Sequence, residues 1–331
     1  MRTKKTRQFA MLALAVATLF VVTGASHAAT VTSNLITGLV NVTMPDGAVV
    51  PMAGFGLSGG SVSVPGPVLE ANEGDTLVIN LTNSLPVPIT VVVHGQRIQN
   101  PTPVDVGGRV LSFVPHSGSF TFPNLKAGTY LYESGTHPAV EVPMGLYGVL
   151  IVRPATPGQA YNDPVSAYDT EHVVVFSDVD PVLNTMVRTG RYGSALYPST
   201  VKYAPKYFLV NGKAYPQTVP MTANNGDRVL LRLVNAGNRD YAPTLNGLYS
   251  MVIAEDGNLL PFPENDLAVM LPAGKTKDVI VTPGADTRYT LYDRRLNLSN
   301  AGTAGVGGIL TFLEVGTVPP LSPLKKARTR R

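Results

Sequence analysis

Short runs of alternating apolar and polar residues, broken by glycine, proline and asparagine, dominate this chain. Residues 76–81, 89–93, 119–122, 172–176, 228–234 and 279–282 each read as a strand with one face turned toward a core. Few segments carry an apolar stripe at helical spacing, and 28 Pro and 32 Gly keep the strands short. The pattern predicts an all-β sandwich.

The pattern also repeats. Residues 71–83 read ANEGDTLVINLTN and residues 223–235 read ANNGDRVLLRLVN, at an offset of 152 positions. Further on, TYLYES at 129–134 matches YTLYDR at 289–294, and GVLIV at 148–152 matches GILTF at 308–312, both at an offset of 160. The drift of eight is one loop insertion. A period this long means two copies of one domain-sized unit. The expected organisation is a leader at 1–28, a first domain at 29–153, a linker at 154–164, a second domain at 165–315 and a basic tail at 316–331.

The leader expectation rests on Arg2, Lys4, Lys5 and Arg7 ahead of an apolar stretch and the small-x-small site Ser26-His27-Ala28. These are the parts of a secretory signal, so an exported protein, periplasmic or extracellular, is expected, with no membrane span. Charge changes the picture little. Of 26 bases, four fall in the leader and five (Lys325, Lys326, Arg328, Arg330 and Arg331) in the last seven residues, which leaves the body with fewer bases than its 22 acids. That balance argues against nucleic acid as a partner. The chain has no cysteine, so thiolate nucleophiles, Cys-ligated zinc and copper–thiolate centres are excluded from its own residues.

The stretches PGPVLEANEGDTLVINLTNSLPVPITVVVHGQ (65–96) and GTYLYESGTHPAVEVPMGLYGVLIV (128–152) resemble the first cupredoxin domain of multicopper oxidases. YFLVNGKAYPQTVPMTANNGDRVLLRLVNAG (207–237) with IAEDG (253–257) is similar to a second domain of that family. The resemblance implies two tandem cupredoxin-like Greek-key sandwiches with copper-binding residues on one rim, and, from two-domain relatives, a homo-oligomer such as a trimer.

The family's ligands transfer poorly. Its His-x-His-Gly motif stands here as Val92-Val93-His94-Gly95, and its second His-x-His as Glu133-Ser134-Gly135. Carried across the repeat, Val92 and His94 map to Thr244 and Asn246, and Glu133 and Gly135 to Asp293 and Arg295. Only His94 is an imidazole. The leading expectation is a non-catalytic binding or structural protein that has lost the type 1 and trinuclear copper sites and carries no cofactor. The alternative is a mononuclear protein, a copper-binding protein or weak oxidoreductase, holding copper or another divalent metal at His94, Glu133 and His137. His116 and His172 complete the histidines beyond the leader.

Three further signals carry less. Glu255, Asp256 and Asp293 with Arg294 and Arg295 suggest an ion-pair network replacing metal, or an anion-binding spot. The glycines of GFGLSGG (54–60) mimic a dinucleotide fingerprint and a nucleophile elbow, but the proline-broken SVSVPGP that follows cannot supply the helix both need. Tyrosines between 192 and 207 suggest the lining of a groove for an aromatic or carbohydrate ligand.

Overall fold

The computed structural model describes residues 28–99, 103–105, 110–113 and 118–319. The expected leader through His27, His116 and the basic residues from Lys325 onward lie outside these residues.

The first half folds as β1 (Thr30–Thr43), β2 (Val49–Leu57), β3 (Leu69–Asn72), β4 (Thr76–Asn83), β5 (Val91–Val93), β6 (Pro103–Asp105), β7 (Val110–Phe113), β8 (Gly118–Phe122), β9 (Gly128–Ser134), a single helical turn α1 (Pro138–Glu141), and β10 (Tyr147–Arg153). The second half holds β11 (Thr170–Val179), α2 (Pro181–Arg188), β12 (Tyr207–Val210), β13 (Met221–Ala223), β14 (Val229–Asn235), β15 (Pro243–Leu245), β16 (Ser250–Glu255), β17 (Asn258–Asp266), β18 (Thr276–Val281), β19 (Arg288–Asp293) and β20 (Leu310–Val315).

Sheet order makes the duplication explicit. The first half has sheets β2-β1-β4-β8 and β3-β10-β9-β5. The second has β12-β11-β14-β18, extended by β16-β17, and β13-β20-β19-β15. In each sandwich the two sheets close on one apolar core. Leu77, Ile79, Phe120 and Phe122 meet Tyr130, Tyr132 and Leu150 in the first. Leu231, Leu233 and Val279 meet Leu291 and Leu313 in the second.

The repeated NxGD phrase is a turn between equivalent strands. Gly74 and Gly226 both have φ +84°, a left-handed conformation that glycine adopts without a Cβ penalty. The carboxylate that follows caps the turn: Asp75 accepts from the Asn72 amide at 3.0 Å, and Asp227 from the Asn224 amide at 2.8 Å. The sequence is repeated because the turn needs the same glycine and the same acceptor twice.

The sandwiches are joined by apolar faces that alternation does not foresee. The outer face of β9 and β10 (Leu131, Tyr147, Val149 and Ile151) packs on Val175, Val234 and Ala236 of the second half. β14 is consequently buried at every position, and its apolar run VLLRLV reads as a strand covered on both faces. A second contact sets Met44, Val50 and Met52 on Val179, Tyr207 and Leu209. Each fully buried residue of this kind contributes about 1.5–3 kcal/mol relative to exposure.

Helix α2 went unforeseen, although its signals are in the sequence. Asp180 caps its N-terminus by accepting from the Val182 amide at 2.8 Å, Pro181 occupies the first turn and Arg188 the last, the asymmetry that marks helix ends.

Candidate functional site

β5 pairs with β9 so that Val92 lies opposite Glu133. His94 is the residue after β5, and its backbone N–H donates to the Leu131 carbonyl at 3.2 Å. Glu133 and His94 therefore project from the same outer face of the sheet as a diagonal cross-strand pair, turned away from the first core and toward the second sandwich. His94 Nε2 stands 2.9 Å from Glu133 Oε1, with the imidazole half-exposed and the carboxylate largely covered. The hydrogen bond to Glu133 raises the imidazole above its ordinary pKa. Burial opposes the rise, and the negative charges of Glu133 and Asp256 add to it. A cavity of about 340 Å³ opens beside His94, bounded by Tyr130, Asp256, Asn258 and Thr276.

Replacing Glu133 by Gln removes both the charge and the charge-assisted bond. The His94 titration midpoint, followed by NMR of the imidazole protons, is expected to fall toward the ordinary imidazole value. An unchanged midpoint would mean that Glu133 does not govern this histidine.

His137 is placed elsewhere. It occupies the N-cap position of α1 without a side-chain capping bond, its ring meets Tyr192 edge-on with centroids 6.1 Å apart, and it lines a different cavity with Val140, Glu141 and Met144. The structure brings His94 and Glu133 together and leaves His137 out. Among the described residues no three His, Cys, Asp or Glu side chains are grouped closely enough to hold an ion. His172 lies on β11 and contacts the Thr222 carbonyl at 2.8 Å.

Strand pairing corrects the carry-over to the second half. Pro243, not Thr244, lies opposite Asp293, and Leu245 lies opposite Leu291. Val91 lies opposite Ser134 just as Pro243 lies opposite Asp293, and Gly95 and Gly247 share a left-handed φ of +85° and +92°. Val92 and His94 therefore keep Thr244 and Asn246 as counterparts, while Glu133 and Gly135 match Tyr292 and Arg294, one residue earlier than the offset of 160 gives. Leu245 is a buried core side chain. Asp293 is fully buried, with Oδ1 accepting from the Ala242 and Arg295 amides and Oδ2 from Asn297 Nδ2.

The expected acid–arginine network also has other partners. Lys275 pairs with Glu255 at 2.6 Å and with Asp256, and Lys277 reaches Glu255 at 3.3 Å. Arg295 instead meets Asp240 at 3.8 Å, both exposed. Of the tyrosine run, Tyr192 faces a cavity. Tyr197, Tyr203 and Tyr207 donate to Asp180, Asp178 and Asp46 and are tied into the fold.

Tandem sandwiches with an imidazole–carboxylate pair on a rim between them define a two-domain cupredoxin-like protein. A multicopper oxidase family profile matches residues 58–157. The copper resistance protein A of Pseudomonas syringae pv. tomato is 27% identical over 306 residues, covering 78% of this chain and 48% of that protein. Multicopper oxidase MmcO of Mycobacterium tuberculosis is 24% identical over 255 residues, covering 66% and 46%. The chain thus spans about half the length of these curated relatives. Among solved structures, the multicopper oxidase mgLAC superposes with TM-score 0.72 at 25% identity over 88% of each chain. The blue copper oxidase of Nitrosomonas europaea gives 0.71 at 23% identity, over 87% of this chain and 86% of that one. The chain is thus similar to multicopper oxidases, with the family profile itself confined to residues 58–157.

Proposed function

We propose that this chain is an exported binding protein that uses the cupredoxin scaffold without its copper chemistry. The observation carrying this reading is the donor set on the two rims: Val92, His94 and Glu133 in the first half, Thr244, Asn246 and Tyr292 in the second. A type 1 site requires a thiolate with two imidazoles, and the sequence has no cysteine. Multinuclear copper centres need several convergent imidazoles, whereas these positions supply one. In the second half Thr244, Asn246, Tyr292 and Arg294 supply no imidazole. Copper does not fit these residues. Export rests on the leader-like sequence at 1–28; no helix among the described residues is long and apolar enough to cross a membrane.

The test is elemental analysis of the purified chain after loading with copper and dialysis. Copper well below one ion per chain, no absorption in the blue-copper region and no oxygen uptake with a phenol are expected. Stoichiometric copper or phenol oxidation would overturn the reading.

A second reading, a mononuclear metal protein, has the His94–Glu133 contact in its favour. It predicts metal content that falls in both His94→Ala and His137→Ala. Metal lost in the first variant alone would confine any site to the pair.

A further inference from the structure

A mostly apolar cavity lies where the sandwiches meet on the side of α1 and α2. It measures about 380 Å³ and is walled by Leu39, Met52 and Met144 from the first half, Val187 and Tyr192 from the second, and Glu141. Its volume sits at the small end of pockets that enclose organic ligands, and its walls are mostly apolar, as such pockets are, with His137, Arg188 and Glu141 as the ionisable members beside Tyr192. One of these polar groups is only half satisfied by the protein. Glu141 is only 7% exposed. Its Oε2 accepts from Ser134 Oγ at 2.6 Å and from the His137 amide at 2.8 Å, while Oε1 receives no hydrogen bond from the described residues. Oε1 is not among the fully enclosed side-chain atoms without a partner, so water reaches it, and a ligand that displaces that water must replace its hydrogen bond.

We propose that this cavity binds a small, predominantly apolar molecule, aromatic or alicyclic, carrying one N–H or O–H donor directed at Glu141 Oε1. Ser134 and the His137 amide hold Oε2, so the carboxylate is fixed with Oε1 toward the cavity before any ligand arrives. Fixing the acceptor in advance lowers the ordering cost of binding. A ligand lacking the donor leaves a buried oxygen unpaired, which discriminates more strongly than loss of a methylene. The site gives the binding role proposed above a ligand class and rests on that reading. The two fail separately, because metal content tests one and ligand shifts test the other.

The experiment uses indole and its isostere benzofuran, which replaces the N–H by an oxygen. The chain has no tryptophan, so indole fluorescence reports binding without protein background. Methionine methyl NMR locates the ligand, because Met52 and Met144 line the cavity. Indole is expected to shift these two methyl signals and to bind at least tenfold more tightly than benzofuran. In Glu141→Gln the amide oxygen must serve Ser134 and His137, which turns the NH2 group toward the cavity. The preference should then disappear or reverse, while retained methyl dispersion shows that the variant folds. Equal binding of the two probes to the wild-type chain would overturn the proposal, whatever the variant does. So would indole shifts at other methionines, or no shift at all. Met52 and Met144 signals that move with protein concentration rather than with indole would assign the cavity to a second copy and overturn it as well.

Discussion

Arg232→Met should lower stability by about 3–5 kcal/mol, the cost of breaking a buried ion pair from one side. Arg232 is completely buried in β14. Its Nε meets Glu171, and its Nη1 donates to Thr129 Oγ1 at 2.8 Å and lies 3.4 Å from Asp278 Oδ2. Asp278, itself 1% exposed, also accepts from Thr129 Oγ1 at 2.7 Å and from the Tyr161 hydroxyl at 2.6 Å. Arg153, at the end of β10, reaches Glu171 at 2.6 Å. Thr129 and Arg153 belong to the first sandwich, Tyr161 to the connection, and the others to the second sandwich. The network therefore ties the two together.

Without the guanidinium, Asp278 and Glu171 remain in place with less compensation. The triple variant R232M/E171Q/D278N carries none of these charges and should recover more than half the loss, a non-additivity expected of one coupled group. Urea unfolding of all three proteins checks this, and a single-variant loss under about 1 kcal/mol would place the network among ordinary surface pairs. The pH dependence has a definite sign. Burial alone would raise the Glu171 carboxyl, but Arg232 and Arg153 outweigh it and hold the pKa below the ordinary value. Its stabilisation is present above the unfolded carboxylate pKa and is lost as pH falls through the folded value. The gap between wild type and Arg232→Met should therefore narrow in acid.

Gly257→Ala is expected to cost roughly 2–5 kcal/mol, about 1–2 from left-handed backbone and 1–3 from overpacking. Asp256 and Gly257 form the two-residue turn between β16 and β17, with φ +49° and +71°, the type I′ geometry that Asp-Gly favours. The tip of this hairpin rests on the first sandwich. A Cβ at 257 would lie 2.2 Å from the Tyr130 hydroxyl oxygen and 2.3 Å from Cζ, and Tyr130 is buried. The hairpin must move away, taking the Asp256 carboxylate from His94. Thermal unfolding should show the loss, and the His94 titration midpoint should fall with it, because Asp256 contributes to its rise. Gly284→Ala, where nothing lies within 4 Å, is the control and should stay within about 1 kcal/mol of wild type.

Much of the scaffold was legible because it is written in local chemistry. Apolar alternation in 76–81 marks β4, and the NxGD turns mark equivalent points of two sandwiches. His94 and Glu133 were legible as a pair once the repeat located the rim. The slip between Asp293 and Tyr292 was not, because a one-residue shift in a loop leaves the apolar pattern of β19 almost unchanged while moving every side chain to the other face. His137 looked close to Glu133 along the chain, but β9 ends at Ser134 and the chain turns toward α1, which places the imidazole at another cavity.

The sequence alone determined that this protein is a duplicated β-sandwich, that it lacks thiolate chemistry, and that a single imidazole stands at the expected rim motifs. Those facts depend on composition, period and turn residues, each read within a few positions. Tertiary structure alone decided that β14 is covered on both faces, that Thr129 and Arg153 of the first sandwich meet Arg232, Asp278 and Glu171 of the second, and that Glu141 lines a mostly apolar cavity with both its hydrogen bonds on one oxygen. Each depends on how the two sandwiches dock. Docking is set by shape and charge summed over residues more than a hundred positions apart, which no local pattern encodes.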